Sequence, residues 1–547
     1  MLRIAAHAVV AVATRAVLSC VAVSAGLQAQ GLPPVPVPAG NPQTVDKALL
    51  GKALFWDEQL SSSRSVACGT CHIPGGGSSD PRSLTRLAES LHPGADGQPG
   101  TADDVGGSLG VPRLDAAGHY LGSPFGLGAQ VTPRRSMSAV MAAYAPTLFW
   151  DGRAPGAFVD PVSNTTLLPT NAALESQSLG PFLNEVEMGH VGRTLTDLVA
   201  RVTASRPLAL ASNLPLPLAS FVSGRSYPQL FQQAFGSTAI TPARIAMALA
   251  AYQRELVPDQ TPFDTNTLSP FAVAGQQVFT TTGRCSTCHV PPLFTDHAFI
   301  NLGVRPAAED LGRSVVTGLP ADDGKFRMPS LRNVALRGPF FHNGRFTTLE
   351  QVVDFYDRGG DFPPAGRLIT PIGLSAQQKR DLVAFLRELT DPRVAQELPP
   401  FDRPTLWSES AHASQRIGNA SPGDGGVLPR AHALEPAILG SSRWTLVLEN
   451  ATPNVPVWML LSTGADPLGF DVLGTRLHVL PGPGLVGFLA GFTGGTAPGT
   501  GSATLDLTVP AIPGLHGFTM FGQWWILNSS SPIPFSASAG FSFTLVD

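Results

Sequence analysis

The pattern C-x-x-C-H occurs twice in the chain, as Cys68-Gly69-Thr70-Cys71-His72 and as Cys285-Ser286-Thr287-Cys288-His289. That spacing is the attachment signature of c-type haem. Two thiols so placed can each form a thioether to one porphyrin, and the adjacent histidine is held below the ring, where its imidazole reaches the iron. The chain has five cysteines, so the two motifs leave only Cys20 unassigned. A zinc site would want further Cys or His ligands in a matching pair, and a thioredoxin-type site would set its C-x-x-C in a βαβ unit. The expectation is two covalently bound haem c groups, with His72 and His289 as ligands of the haem irons. The fold must be built around them.

A chain of 547 residues is too long for one core, so two to four domains are expected. The net charge of −4 comes with no long basic run, so neither nucleic acid nor an anionic membrane surface is expected as a partner. Only 14% of residues are charged, while 57 Gly and 51 Pro imply much irregular loop. The N-terminus reads Met1-Leu2-Arg3, then an apolar stretch through Ala25, then Leu27-Gln28-Ala29. This is the layout of a secretory signal peptide over residues 1–29, and cleavage after Ala25 or Ala29 would remove Cys20. A lipoprotein anchor on Cys20 is the alternative, with a poor preceding context in Val17-Leu18-Ser19. The chain is expected to be periplasmic or secreted, with no transmembrane segment, since no second apolar run is long enough to span a bilayer.

The periodicities give two haem domains and a different C-terminal one. An N-terminal haem domain is expected over residues 30–265, with a Gly-rich loop insertion at about 75–130. Within it, residues 96–104 (Asp96-Gly97-Gln98-Pro99-Gly100-Thr101-Ala102-Asp103-Asp104) cluster carboxylates among glycines. Calcium or a plain solvated loop are both open readings there. Ala48 to Phe55 reads as a short amphipathic helix. Thr241 to Leu256 reads as a helix with a Thr cap and Pro at its first position. A second haem domain over 266–395 opens with a helix at Phe271–Phe279 and closes with one starting at Ser375 and stopped by Asp391-Pro392. The halves thus repeat helix, C-x-x-C-H, loops and closing helix. Residues 396–438 read as a linker or wrapping arm. Over 439–547, short apolar alternations between Gly/Pro turns predict a β-sandwich-like domain. Its Trp524-Trp525 pair is read as buried core, with a sugar or partner contact as the other option. The fold class is therefore mostly α, two cytochrome-c-like haem domains, plus a C-terminal all-β domain.

Four further stretches carry a family resemblance: Leu148-Phe149-Trp150-Asp151-Gly152-Arg153, Pro181 to Gly189, Met328 to Val334, and Phe341 to Glu350. With the two haem motifs, they make residues 41–395 resemble the bacterial di-haem cytochrome c peroxidases, including the MauG-like branch. The resemblance implies peroxide reduction at the N-terminal haem through high-valent iron, with the second haem and Trp150 relaying oxidising equivalents. It places Glu187 as the distal carboxylate that moves a proton as the O–O bond breaks, a task suited to a poorly solvated carboxyl. The position of a removable distal histidine falls near Leu127, and there is no histidine there. Gln130 is a candidate catalytic residue lining the open face, and His119 a candidate cap on the N-terminal haem. Tyr356 stands where a methionine ligand of the second haem would be expected, and MauG-type members carry tyrosine there. His342 or Met328 as ligand is the alternative. Calcium between the haem domains is usual in the family, but Arg135 stands where an asparagine ligand would be, leaving the carbonyls of Arg337 and Pro339.

Hydrogen peroxide is the implied substrate, and a redox protein donor or a protein substrate the implied partner. Three other readings stand beside the MauG-like one. The chain could be an ordinary cytochrome c peroxidase fed by a small cytochrome or cupredoxin. It could be a non-enzymatic di-haem electron-transfer protein. Or the haem domains could serve display, with the β-domain as the working part.

Overall fold

The computed structural model describes residues 31–85, 90–362, 369–497 and 499–547. The expected leader over 1–29, and with it Cys20, lies outside the described residues. Each half of the haem region is organised by one pair of crossing helices. In the first half the helix Val45–Trp56, capped by the Thr44 side chain accepting from the Lys47 amide, lies against Pro242–Gln253, capped in the same way by Thr241. In the second half Pro270–Thr280, capped by Ser269, lies against Ala376–Arg387, which opens with a Ser375/Gln378 capping box.

Both crossings pass through a glycine. A Cβ on Gly51 would sit 1.9 Å from the Ala248 carbonyl oxygen, and one on Gly275 would sit 1.9 Å from that of Asp381. Only a residue without a side chain lets the backbones approach so closely. The crossings seed two separate cores. One gathers Leu50, Leu54, Trp56, Ile245 and Leu249; the other gathers Phe263, Phe279, Phe294 and Phe385, whose rings meet edge to face. Each such fully buried side chain contributes about 1.5–3 kcal/mol relative to exposure, which fixes the helices that precede the two haem motifs.

The expectation of a mostly α chain needs correction, because helix makes up only 27% of it. The Gly- and Pro-rich stretches between the crossing helices form loops, single turns and two-stranded hairpins instead. One hairpin, Leu109–Pro112 with Ala129–Val131, lies in the 75–130 insertion. The carboxylates of the 96–104 loop are taken up by its own N–H groups. Asp103 accepts from Ala95 and Asp96, and Asp104 from Gly100. Among the described residues no cluster of three or more His, Cys, Asp or Glu side chains could hold a metal ion.

The C-terminal region is rich in antiparallel strands. One sheet orders Arg430–His432, Trp444–Ala451 and Gly501–Leu507; a larger one is built on Pro456–Ser462, Val486–Phe492, Thr519–Leu527 and Gly540–Val546. Leu446, Met459, Trp524 and Phe543, drawn from both sheets, share one apolar cluster. Trp524 is fully buried there, while Trp525 points to the opposite face, beside Phe535. The strands begin earlier than the sequence pattern indicates. Gln415–Ile417 and Ala437–Ile438 pair with the final strand, inside the stretch read as a linker, and both are too short to show alternation. Upstream of them, Phe401 and Leu406 pack into the first core, and Glu58 accepts the amides of Trp407 and Ser408. Among the described residues no helix is long and apolar enough to cross a membrane.

A candidate two-haem site

The two C-x-x-C-H segments open onto one cavity of about 1490 Å³. A single small-ligand pocket usually measures about 300–1,000 Å³, so the space suits more than one such group. Cys68, Cys71, Cys285 and Cys288 all line it with free thiols. Burial pushes the thiols of Cys68, Cys71 and Cys285 up to about 12, so they are neutral.

His72 and His289 line the same cavity, each with Nδ1 turned to a backbone carbonyl: Ser78 at 3.3 Å and Phe294 at 3.1 Å. A carbonyl only accepts, so Nδ1 carries the proton and Nε2 keeps its lone pair for a metal. Burial lowers the pKa of both imidazoles, that of His289 to about 4, which keeps them in the neutral form a metal binds.

Glu187 lines the cavity beside the first motif, near enough that its charge helps raise the Cys68 and Cys71 thiols. Burial raises its own pKa, partly offset by Arg153, and among the described residues its carboxylate has no hydrogen-bond partner. Tyr356 lines the cavity beside the second motif, from the helix Leu349–Asp357. Burial raises its phenol well above the ordinary value, with Cys285 and Cys288 adding to the shift.

Trp150 lies between the halves. Its indole N–H donates to the Arg135 carbonyl at 2.8 Å, and its ring meets the His342 ring edge-on at 6.3 Å. His342 is stacked on Phe326 at 3.6 Å. Met328, the other alternative ligand, also lines the cavity.

Two expected residues are not brought to the cavity wall. Gln130 is buried behind the Glu187 loop, its amide donating to the Glu185 carbonyl at 2.7 Å, so it does not line the open face. His119 is exposed at the surface and pairs with Asp115 at 2.9 Å.

Three buried arginines carry no signal in the sequence. Arg135, Arg327 and Arg337 line the cavity, each with an Nε–H that has no partner among the described residues. Burial pushes the first down to about 9, with repulsion from Arg337 adding to it, and the other two to about 10. A buried guanidinium is costly without an anion. Haem brings two propionates per ring, so these orphaned donors, the free thiols and the two Nε2 atoms together fit a pair of haems.

The di-haem cytochrome c peroxidase family model matches residues 45–269, and the cytochrome c model matches 272–390. Cytochrome-c peroxidase IdrP1 of Denitromonas iodatirespirans is 32% identical over 406 residues, covering 66% of this chain and 87% of that protein. The chain belongs to the di-haem cytochrome c peroxidase family. Methylamine utilization protein MauG of Methylorubrum extorquens is 31% identical over 375 residues, covering 67% of this chain and 84% of MauG. A solved MauG-like protein associated with microbial copper homeostasis aligns with a TM-score of 0.48 at 27% identity, over 68% of this chain and 96% of that one. Neither family model reaches the strand-rich C-terminal region.

The interdomain calcium expected of such a di-haem peroxidase does not suit the residues present. The Arg135 guanidinium donates to the Gly338 carbonyl at 3.1 Å, between the two carbonyls left to hold the ion. With Arg337 close by, the site offers donors and positive charge where a hard cation wants oxygen ligands.

Proposed function

We propose that the chain is an exported di-haem c-type peroxidase of the MauG-like type. Cys68 and Cys71 would hold one haem c and Cys285 and Cys288 the other, as thioethers, with Nε2 of His72 and of His289 free to bind the irons. Arg135, Arg327 and Arg337 would anchor propionates. When bound, the haems supply the two-electron cleavage of hydrogen peroxide through high-valent iron.

The chain's own residues supply proton handling and coupling. Glu187 takes the proton from the incoming peroxide and returns it to the leaving oxygen, a shuttle that needs a carboxyl with a raised pKa and no fixed partner. Tyr356, beside the second C-x-x-C-H motif, would be a further ligand to the iron of the haem held there; bound as phenolate, it would favour oxidised iron over an electron reservoir. Trp150, tied by hydrogen bonds to both halves, links the two centres. The oxidising equivalents then pass to a redox protein donor or to a protein substrate.

The single observation that carries this reading is the shared cavity, with Glu187 against the first C-x-x-C-H and Tyr356 against the second. The signal-peptide pattern expected over residues 1–29 supports export, because c-type haem is attached outside the cytoplasm in bacteria. We read the C-terminal region as sandwich-like, since residues of two sheets share one core. The test is a Glu187→Gln variant loaded with haem: its reaction with peroxide should slow by about 10²–10⁴-fold. An unchanged rate would remove Glu187 from the chemistry.

A further inference from the structure

We infer that the C-terminal strand region positions the carboxylate of Glu187, through Glu449 and the hairpin 109–131; this rests on the reading of Glu187 as the proton-transfer group. The hairpin runs from Leu109–Pro112 out to a turn at residues 115–119 and returns through a loop at residues 123–128 to Ala129–Val131. That return loop is held by the three-stranded sheet. Glu449 Oε1 accepts the Leu127 amide at 2.6 Å, and its Oε2 contacts His432 Nε2 at 3.0 Å. The Glu449 and His432 side chains are only 12% and 10% exposed, so this is an enclosed contact. The approach requires a glycine at 126. Its φ is +67°, and a Cβ there would lie 2.1 Å from Glu449 Oε1. Phe125, in the same loop, lies 5.8 Å from the ring of His92, which lines the cavity.

The stem of the hairpin holds the loop that carries Glu187. The Val111 amide donates to the Val186 carbonyl at 3.1 Å, and the Val191 amide donates to the Leu114 carbonyl at 2.9 Å. Gln130 Nε2 donates to the Glu185 carbonyl at 2.7 Å. These bonds grip the backbone on both sides of Glu187. Inside the loop, Asn184 Oδ1 accepts the Val186 and Glu187 amides at 2.8 and 3.2 Å. Among the described residues the Glu187 carboxylate has no hydrogen-bond partner and feels only the charge of Arg153, so this backbone frame sets where it stands. Glu449 and Gln130 are therefore positioning residues, and the strand region is part of the peroxide site's scaffold rather than an appended module.

The test is amide hydrogen exchange on the full-length, haem-loaded protein. Glu449→Ala should speed exchange at Val111 and Val191 about tenfold or more, by favouring local opening of the hairpin. Glu449→Gln keeps an acceptor oxygen for Leu127 and should stay close to wild type. Leu127→Pro removes the same bond from the hairpin side, should Glu449→Ala fail to fold. In the same samples the pH profile of the peroxide reaction should shift for Glu449→Ala and Leu127→Pro and not for Glu449→Gln. Unchanged exchange at Val111 and Val191 in the folded variants lacking the bond overturns the inference. A Glu187→Gln control separates the two ideas: a normal peroxide reaction there removes the role of Glu187, while the exchange data still decide whether the strand region holds the hairpin.

Discussion

The indole of Trp150 donates to the Arg135 carbonyl at 2.8 Å while the Trp150 carbonyl accepts the Arg327 amide at 2.8 Å. The next link is the Arg135 amide, which donates to the His342 carbonyl at 2.8 Å. One tryptophan thus ties the segment after the first haem motif to the segment after the second. Trp150→Phe keeps a ring and loses the N–H. A hydrogen bond of about 1 kcal/mol sets the scale, so coupling between the haems should fall about fivefold at normal haem content. Stopped-flow spectra of both haems after peroxide addition would read this.

The pH dependence follows from the direction of the Glu187 shift. Burial raises its pKa, and the shuttle starts from the carboxylate. The peroxide reaction should therefore fall as the pH drops through a midpoint above the ordinary carboxylate value, and Glu187→Gln should abolish that limb. A pH profile of the second-order rate constant for peroxide checks both.

Arg135 already places a cation against the Gly338 carbonyl. Treatment with a calcium chelator should leave the haem spectra and the peroxide rate of the wild-type protein unchanged. Arg135→Asn removes the guanidinium and should make both sensitive to calcium and chelator, as measured by titration with absorbance detection.

The glycine crossings should be intolerant of a methyl group. Gly51→Ala and Gly275→Ala each force helix backbones apart, at a cost of about 1–3 kcal/mol. Thermal unfolding should show a lowered midpoint for each variant, with an alanine placed at exposed Thr238 as the harmless control.

Much of the haem region was legible because its signals are local. The capped helices at 45–56, 242–253, 270–280 and 376–387 announce themselves by Thr or Ser before an apolar period, and the C-x-x-C-H spacing is itself the chemistry. Gln130 and His119 lie away from the cavity wall, since proximity in sequence to a motif says nothing about which side of a hairpin a side chain takes. The buried arginines were illegible because Arg135 is about two hundred residues away in sequence from Arg327 and Arg337, and only folding brings it beside Arg337 on the wall of one cavity. The early strands at 415–417 and 437–438 were hidden because two or three residues carry no period, and their partner lies about a hundred residues downstream.

The most direct test is the electron paramagnetic resonance spectrum of the oxidised, haem-loaded protein, recorded with and without peroxide and repeated for Tyr356→Phe. The account predicts a high-spin five-coordinate signal and a low-spin His/Tyr signal, both lost on adding peroxide, with the low-spin species missing in Tyr356→Phe. Two low-spin signals indifferent to peroxide would contradict it and leave an electron carrier.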